Sequence, residues 1–360
     1  MQEWISVKID DLFETVVEVF EKLGVPKEDG KIIADVLISA DRRGIDSHGV
    51  ARLKRYVDGI RNGVMNPKTE ITVVKETPVS MVVDGGAGMG QVVAYRVMKK
   101  CIEKAKKNYL CFATIRNSNH YGIAGYYSMM ALKEGLIGIS MTNAAPLVIP
   151  TFGKDAVLGT NPISVAVPAK NEKPFVLDMA TSTVPRGKLE VYNRLGKKIP
   201  LMWATDENGV PTDDPARVLR NLLERKGGGL LPLGGADELT GGHKGYGLAL
   251  LVDIFSGVFS SGAWGTDVYG KKGQPANVCH FLGAISPDAF IGLEGISENM
   301  DNIIRMLKNA PKAEGKDRIY IHGEKEFEKE EERNEEVPLY YKVYDTIKDI
   351  CNELGVEFKL

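Results

Sequence analysis

The chain has 360 residues, 43% hydrophobic and 26% charged, with a formal net charge of −2. This is globular composition, long enough to bury a core without disulfides or a metal. The near-neutral balance, with Lys and Arg interspersed among Asp and Glu, argues against nucleic acid as a partner, and no apolar run reaches the roughly 18 residues that a membrane span requires.

The start, Met1-Gln2-Glu3-Trp4, lacks the basic-then-apolar pattern of a signal peptide, so the cytoplasm is the expected location. Cys101, Cys111, Cys279 and Cys351 are scattered, with no C-x-x-C pair, and read as small hydrophobes. Gln is scarce while Lys and Glu abound, a composition found in thermophile proteins.

Leu12, Phe13, Val16, Val17, Phe20 and Leu23 recur at helical spacing after Asp10-Asp11, and Gly24 and Pro26 end that helix. A second helix is expected over 26–43, with Ile32, Ile33, Val36, Leu37 and Ala40 on one face. A third follows Ser47 and carries Leu53, Tyr56, Val57 and Ile60. Strands are expected at 69–75, 79–84, 111–115, 136–142, 163–167 and 175–179, with a helix over 92–107 and a turn at 171–174. Residues 245–259, 294–309 and 337–355 read as helices, and 327–336 as a solvated, mostly acidic surface segment. The pattern predicts a mixed α/β fold. Its expected units are a helical N-terminal part, 1–75, packing with the C-terminal part; an α/β core for cofactor and substrate, 76–290; and a helical C-terminal part, 291–360.

Asp84-Gly85-Gly86-Ala87-Gly88-Met89-Gly90 lies between a strand and a helix, where a Rossmann fingerprint would lie. After Gly86-x-Gly88 the third position is Gln91, and the next strand ends at Arg116 instead of an acid that could hold a ribose. A glycine turn that permits close backbone approach is the better reading.

Four segments carry chemistry. In Asp46-Ser47-His48-Gly49-Val50-Ala51-Arg52, a helix starting near Ser47 would put His48 and Arg52 on one face. A histidine can pass a proton near neutrality, and an arginine can grip a carboxylate through two parallel hydrogen bonds. The same residues also suit a Ser47 cap with His48 and Arg52 on the surface. Asn119-His120-Tyr121-Gly122 clusters polar groups at a strand end, where α/β proteins place sites. Gly159-Thr160-Asn161-Pro162 and Asp178-Met179-Ala180-Thr181-Ser182 suit ribose and phosphate oxygens, or plain turns. Gly241-Gly242-His243-Lys244-Gly245 opens an apolar helix and suits an anion, or a flexible capped loop. The five histidines never pair at metal-ligand spacing, so no metal is expected.

Taken in order, these segments resemble the malate/L-lactate dehydrogenase type-2 family, whose relatives include sulfolactate and ureidoglycolate dehydrogenases and diketogulonate reductase. Arg186-Gly187-Lys188, Leu231-Pro232-Leu233-Gly234-Gly235 and Gly323-Glu324 complete the set, which spans about residues 8–355. The resemblance implies a non-Rossmann NAD(P)-binding α/β fold, a homodimer, and reduction of a 2-oxo acid to a 2-hydroxy acid by NADH or NADPH. It implies that His120 or His48 exchanges the proton, and that Ser47, Arg52, Asn119 and Tyr121 hold the substrate. The cofactor would meet Thr160, Asn161, Leu177, Asp178, Met179, Ala180, Thr181, Ser182, Thr183, His243, Lys244, Gly323 and Glu324. The sequence departs from the family at Thr151-Phe152-Gly153, where a double glycine is usual, and at Asn117, where serine is common.

Overall fold

The computed structural model describes residues 3–271 and 273–360; Met1 and Gln2, part of the N-terminal reading above, lie outside them. In chain order the elements are β1 (Trp4–Lys8), α1 (Ile9–Lys22), α2 (Lys27–Arg42), α3 (Leu53–Arg61), β2 (Thr72–Thr77), β3 (Ser80–Asp84), α4 (Gly90–Asn108), β4 (Leu110–Ser118), α5 (Ala124–Leu132) and β5 (Ile137–Thr142). Then come β6 (Ile163–Val167), β7 (Phe175–Met179), α6 (Arg186–Arg194), β8 (Ala204–Thr205), α7 (Pro215–Glu224), β9 (Gly229–Leu230), α8 (Gly242–Asp253) and β10 (Val278–Ile285). The chain closes with α9 (Gly292–Asn309), α10 (Glu324–Glu332), β11 (Glu336–Tyr340) and α11 (Tyr341–Leu354).

The expected mixed α/β class is what the structure contains. A seven-stranded sheet runs in the order β2-β3-β4-β10-β5-β6-β7. Only the β3–β4 pair is parallel, and α4 makes the crossover between those strands. The other pairs in that sheet are antiparallel, which sets it apart from a Rossmann sheet. β10 lies at the centre, and seven of its eight residues are buried. Its His280, Phe281 and Leu282 face Ile115, Thr114 and Ala113 on one side and Thr142, Met141 and Ser140 on the other.

The first helices form because their apolar stripes have a partner at the other end of the chain. Leu12, Val16, Phe20, Leu37, Leu53 and Tyr56 pack in one cluster with Val337, Leu339, Ile347 and Cys351. β1 and β11 seal that union as an antiparallel pair, Trp4 opposite Tyr340 and Lys8 opposite Glu336. Neither strand was expected; residues 337–340 were read as helix. β2 belongs to the large sheet, so the unit drawn as 1–75 shares its last residues with the core. All four cysteines are free and buried. Among the described residues, no helix is long and apolar enough to cross a membrane.

Candidate active site

The turn between α2 and α3 sets the site. Asp41, near the end of α2, points inward and accepts the Val50 N–H at 2.8 Å. Residue 49 must be glycine, because a Cβ there would overlap the Asp41 carboxyl. From the end of α10, Arg333 holds Asp46 at 2.8 Å. Between these anchors the loop presents Ser47 and His48. A 3-10 turn, Val50–Arg52, then leads into α3. The expected helix start near Ser47 is therefore corrected. Ser47 caps no helix; its hydroxyl lies 2.9 Å from His48 Nδ1, and its carbonyl accepts from Arg52 Nε at 2.6 Å. Arg52 meets His48 through a folded-back turn instead of one helical turn.

β4 delivers the second imidazole. The His120 and His48 rings lie nearly parallel, with centroids 5.6 Å apart and an interplanar angle of 25°. The Tyr56 hydroxyl is 2.7 Å from His120 Nδ1, and the Gly122 N–H donates to the same nitrogen at 3.4 Å. When Nδ1 accepts, the neutral ring carries its proton on Nε2; when Nδ1 instead donates to the Tyr56 oxygen, Nε2 is the free basic nitrogen. Burial, then the charges of Arg55, His48 and Arg52, hold His120 well below the usual imidazole value. Burial and the Arg52 and Arg55 guanidiniums push His48 down to about 4. In the free protein at neutral pH both rings are thus neutral. They are ready to accept a proton, and can donate one only when an anion offsets the guanidiniums.

Asn119 and Tyr121 flank His120; Tyr121 and the Asn119 amide nitrogen are committed elsewhere, while Asn119 Oδ1 is buried without a partner among the described residues. Asn119 is buried, and its Nδ2 donates to the carbonyls of Ala87 and Gly88, both at 2.9 Å. It ties the glycine turn 85–88 to the His120 loop. A Cβ on Gly90 would overlap the Asn119 and His120 carbonyls, so the start of α4 is closed by backbone and offers no phosphate cradle. Tyr121 is buried between Tyr127 and His280, with ring centroids 4.6 and 4.5 Å away, and its hydroxyl pairs with Ser140 at 3.0 Å. His280 in turn bridges Thr142 and Ser118, both at 2.8 Å.

The residues expected at the cofactor fall into two groups. Leu177, Asp178 and Met179 end β7, where Leu177 pairs with Val165 and Met179 with Ile163. Ala180 follows, and Thr181 Oγ1 donates to the Thr160 and Asn161 carbonyls at 3.2 and 3.1 Å. Ser182 donates to the Val184 carbonyl, and Thr183 to that of Pro232. Buried Asn161 braces α8 through the Ala249 carbonyl at 2.9 Å. Asp178 accepts the Gly125 N–H at 2.7 Å, and burial raises its carboxyl to about 6. Asp178, Arg43, Gly125, Tyr320, His322 and Gly323 line a cavity of ≈ 250 Å³. Glu324 is buried and committed to Lys308 and Arg318, each at 2.9 Å. The second group is the exposed pair His243 and Lys244, in the first turn of α8, whose N-terminal amides carry no side-chain cap.

A family model for malate/L-lactate dehydrogenase matches residues 7–348. The chain belongs to this family. It is 51% identical to a malate dehydrogenase of Pyrococcus abyssi, over 99% of this chain and 97% of that one. It is 40% identical to an L-sulfolactate dehydrogenase of Methanocaldococcus jannaschii, over 96% of each. The solved structure of malate dehydrogenase from Pyrococcus horikoshii superposes with a TM-score of 0.90 at 48% identity, covering 99% of this chain and 97% of that one. As a malate/L-lactate dehydrogenase family member the chain is an oxidoreductase, and its small-molecule substrate is a hydroxy acid or the matching oxo acid.

Two residues of this site went unassigned in the sequence. Arg55 lies three residues beyond Arg52, a spacing that signals a shared helix face. Its guanidinium sits 5.3 Å from the Tyr269 ring centroid and donates to the Tyr269 hydroxyl. Tyr269 is 214 positions away in sequence, and no local pattern announces it.

Proposed function

We propose that this protein catalyses reversible reduction of a 2-oxo acid to a 2-hydroxy acid with NADH or NADPH, and that oxaloacetate and L-malate are its preferred pair. The assembly of two stacked neutral imidazoles beside the Arg52 guanidinium carries the reading. Arg52 grips the C1 carboxylate and fixes the orientation of the oxo group. As imidazolium, His120 donates its Nε2 proton to the oxygen during reduction, leaving a neutral ring that keeps its proton on Nδ1 toward Tyr56; during oxidation the free Nε2 takes the proton back. Tyr56 and the Gly122 amide keep Nδ1 occupied, so the ring cannot flip its reactive nitrogen away. His48 faces the same oxygen from the parallel ring.

The chain's groups suit a nicotinamide dinucleotide, whose reduced ring supplies the hydride when bound. The ≈ 250 Å³ cavity has room for one nucleoside, and Asp178 on its wall can accept from a ribose hydroxyl. The start of α8, which has no side-chain cap and carries the exposed Lys244, suits a phosphate. A homodimer accounts for the apolar outer side of α8 and the π-helical turn after it, where Leu248, Leu251, Val258 and Phe259 are exposed. Sedimentation equilibrium should give twice the 39.4 kDa of one chain.

The deciding assay follows absorbance of NADH and of NADPH with oxaloacetate, pyruvate and sulfopyruvate. Oxaloacetate should be reduced fastest. If neither nucleotide is oxidised with any of the three, the proposal falls. His120→Ala should lower kcat by about 10²–10⁴-fold and leave nucleotide binding, read by fluorescence titration, largely intact.

A further inference from the structure

Two guanidiniums, not one, stand beside the histidine pair, and the second has no assigned task. Arg55 is the largest charged influence on His120, ahead of His48 and Arg52, and it also acts on His48 and Tyr56. Among the described residues, neither Arg52 nor Arg55 has a carboxylate within ion-pair distance, although most other arginines near an acid are paired. Like charges at adjacent positions on one helix face destabilise each other, and Arg52 is itself depressed by burial and by Arg55. Such an arrangement persists where a ligand completes it. The neutral partner of Arg55 is Tyr269, and Tyr269 is itself fixed. Its N–H donates to the Ala276 carbonyl at 2.9 Å, its carbonyl accepts from Arg225 at 3.1 Å, and its φ is 55°. Placed by these contacts, Tyr269 aims the Arg55 fork while leaving its charge unbalanced.

Resting on the function proposed above, we infer that Arg55 reads a second acid group, so that the site selects 2-oxo acids carrying an anionic group on C3. Arg52 takes the C1 carboxylate common to all 2-oxo acids. Arg55 takes the carboxylate of oxaloacetate or the sulfonate of sulfopyruvate, which occupy the same place on the carbon chain. Pyruvate, whose C3 is a bare methyl, has only hydrogen there and leaves Arg55 unmatched. Tyr269 acts as a positioning residue, holding the guanidinium plane through its ring and hydroxyl.

The test compares kcat/KM for oxaloacetate, sulfopyruvate and pyruvate in the wild-type protein and in Arg55→Gln. The wild type must reduce at least one of them; if it reduces none, the general function fails before this inference is reached. With an active wild type, Arg55→Gln should lose on the order of 10- to 100-fold more with the two dianions than with pyruvate. The loss should lie mainly in KM. Equal losses on all three, or a change confined to the KM of the nucleotide, would overturn the assignment. Should Arg55→Gln not fold, judged by circular dichroism, Arg55→Lys applies the same ratio. It keeps the charge but not the planar fork, and should retain part of the dianion preference. Tyr269→Phe should raise the KM for oxaloacetate more than that for pyruvate, and an unchanged ratio there would remove its positioning role.

Discussion

At the residue scale, the chemistry turns on imidazoles kept neutral by burial and nearby guanidiniums. His48 is pushed down to about 4 and His120 lies well below its ordinary value. The sign follows directly. Oxidation of the hydroxy acid needs a neutral base, which the free protein already offers throughout the neutral range. Reduction needs the protonated ring, a minor species that grows tenfold for each unit the pH falls. The kcat/KM for oxo-acid reduction should therefore keep rising from pH 8 down to 5.5, while that for oxidation stays flat. An unshifted imidazole would bend both profiles near pH 6.5. A bend at that pH would show that the rings are not held neutral as the structure indicates. Arg55, the source of much of this field, was visible only as a basic residue on a helix. Its partner comes from a distant loop, so its task could not be read from local pattern.

At the element scale, legibility followed local pattern and flanking turns. β6 and β7 are short, mostly apolar runs between clear turns, and they fall on the residues expected, 163–167 and 175–179. β10 was missed. Its sequence, VCHFLGAI, is buried on both faces and includes Cys, His and Gly, so it has no period of two to detect. Its Gly283 is explained only by tertiary contact, since a Cβ there would come within 2.7 Å of the Phe112 ring. β1 and β11 were hidden because each is a short edge that exists only through the other. The His48 loop was misread for a similar reason. Ser47 looks like a cap, but the conformation is dictated by Asp41, which bonds Val50 nine residues on, and by Arg333, nearly three hundred residues ahead. Gly49→Ala tests that account. The added methyl meets the Asp41 carboxyl, and the clash should cost about 1–3 kcal/mol in denaturant unfolding. It should also reduce oxo-acid kcat/KM more than nucleotide affinity, because the displaced segment carries His48. An Ala variant with full stability and activity would show that Asp41 does not set the loop.

At the scale of the whole molecule, buried titratable groups bound the pH range of stability. Burial raises Asp41 to about 8, so the folded state keeps a proton that the unfolded chain releases above about pH 4. Its contribution is present below that pH and is lost as pH rises through 8. His48 and His280, at about 4 and about 3, work the other way. The unfolded chain takes up their protons first, so their contribution is present above about pH 6.5 and fades as pH falls through 4. Asp41→Asn, which can still accept the Val50 N–H, should flatten the fall in unfolding free energy between pH 5 and 8. A slope equal to that of the wild type in urea titrations would assign the alkaline loss to other groups. The position of β10 has one more consequence. The strand that joins β4 to β5 is translated after both of them and after every strand except β11. While the ribosome is still making residues 143–277, the two halves of the sheet wait with open edges, each a template for wrong pairing. Nascent chains stalled before residue 278 should therefore be the form that chaperones hold and that aggregates most readily.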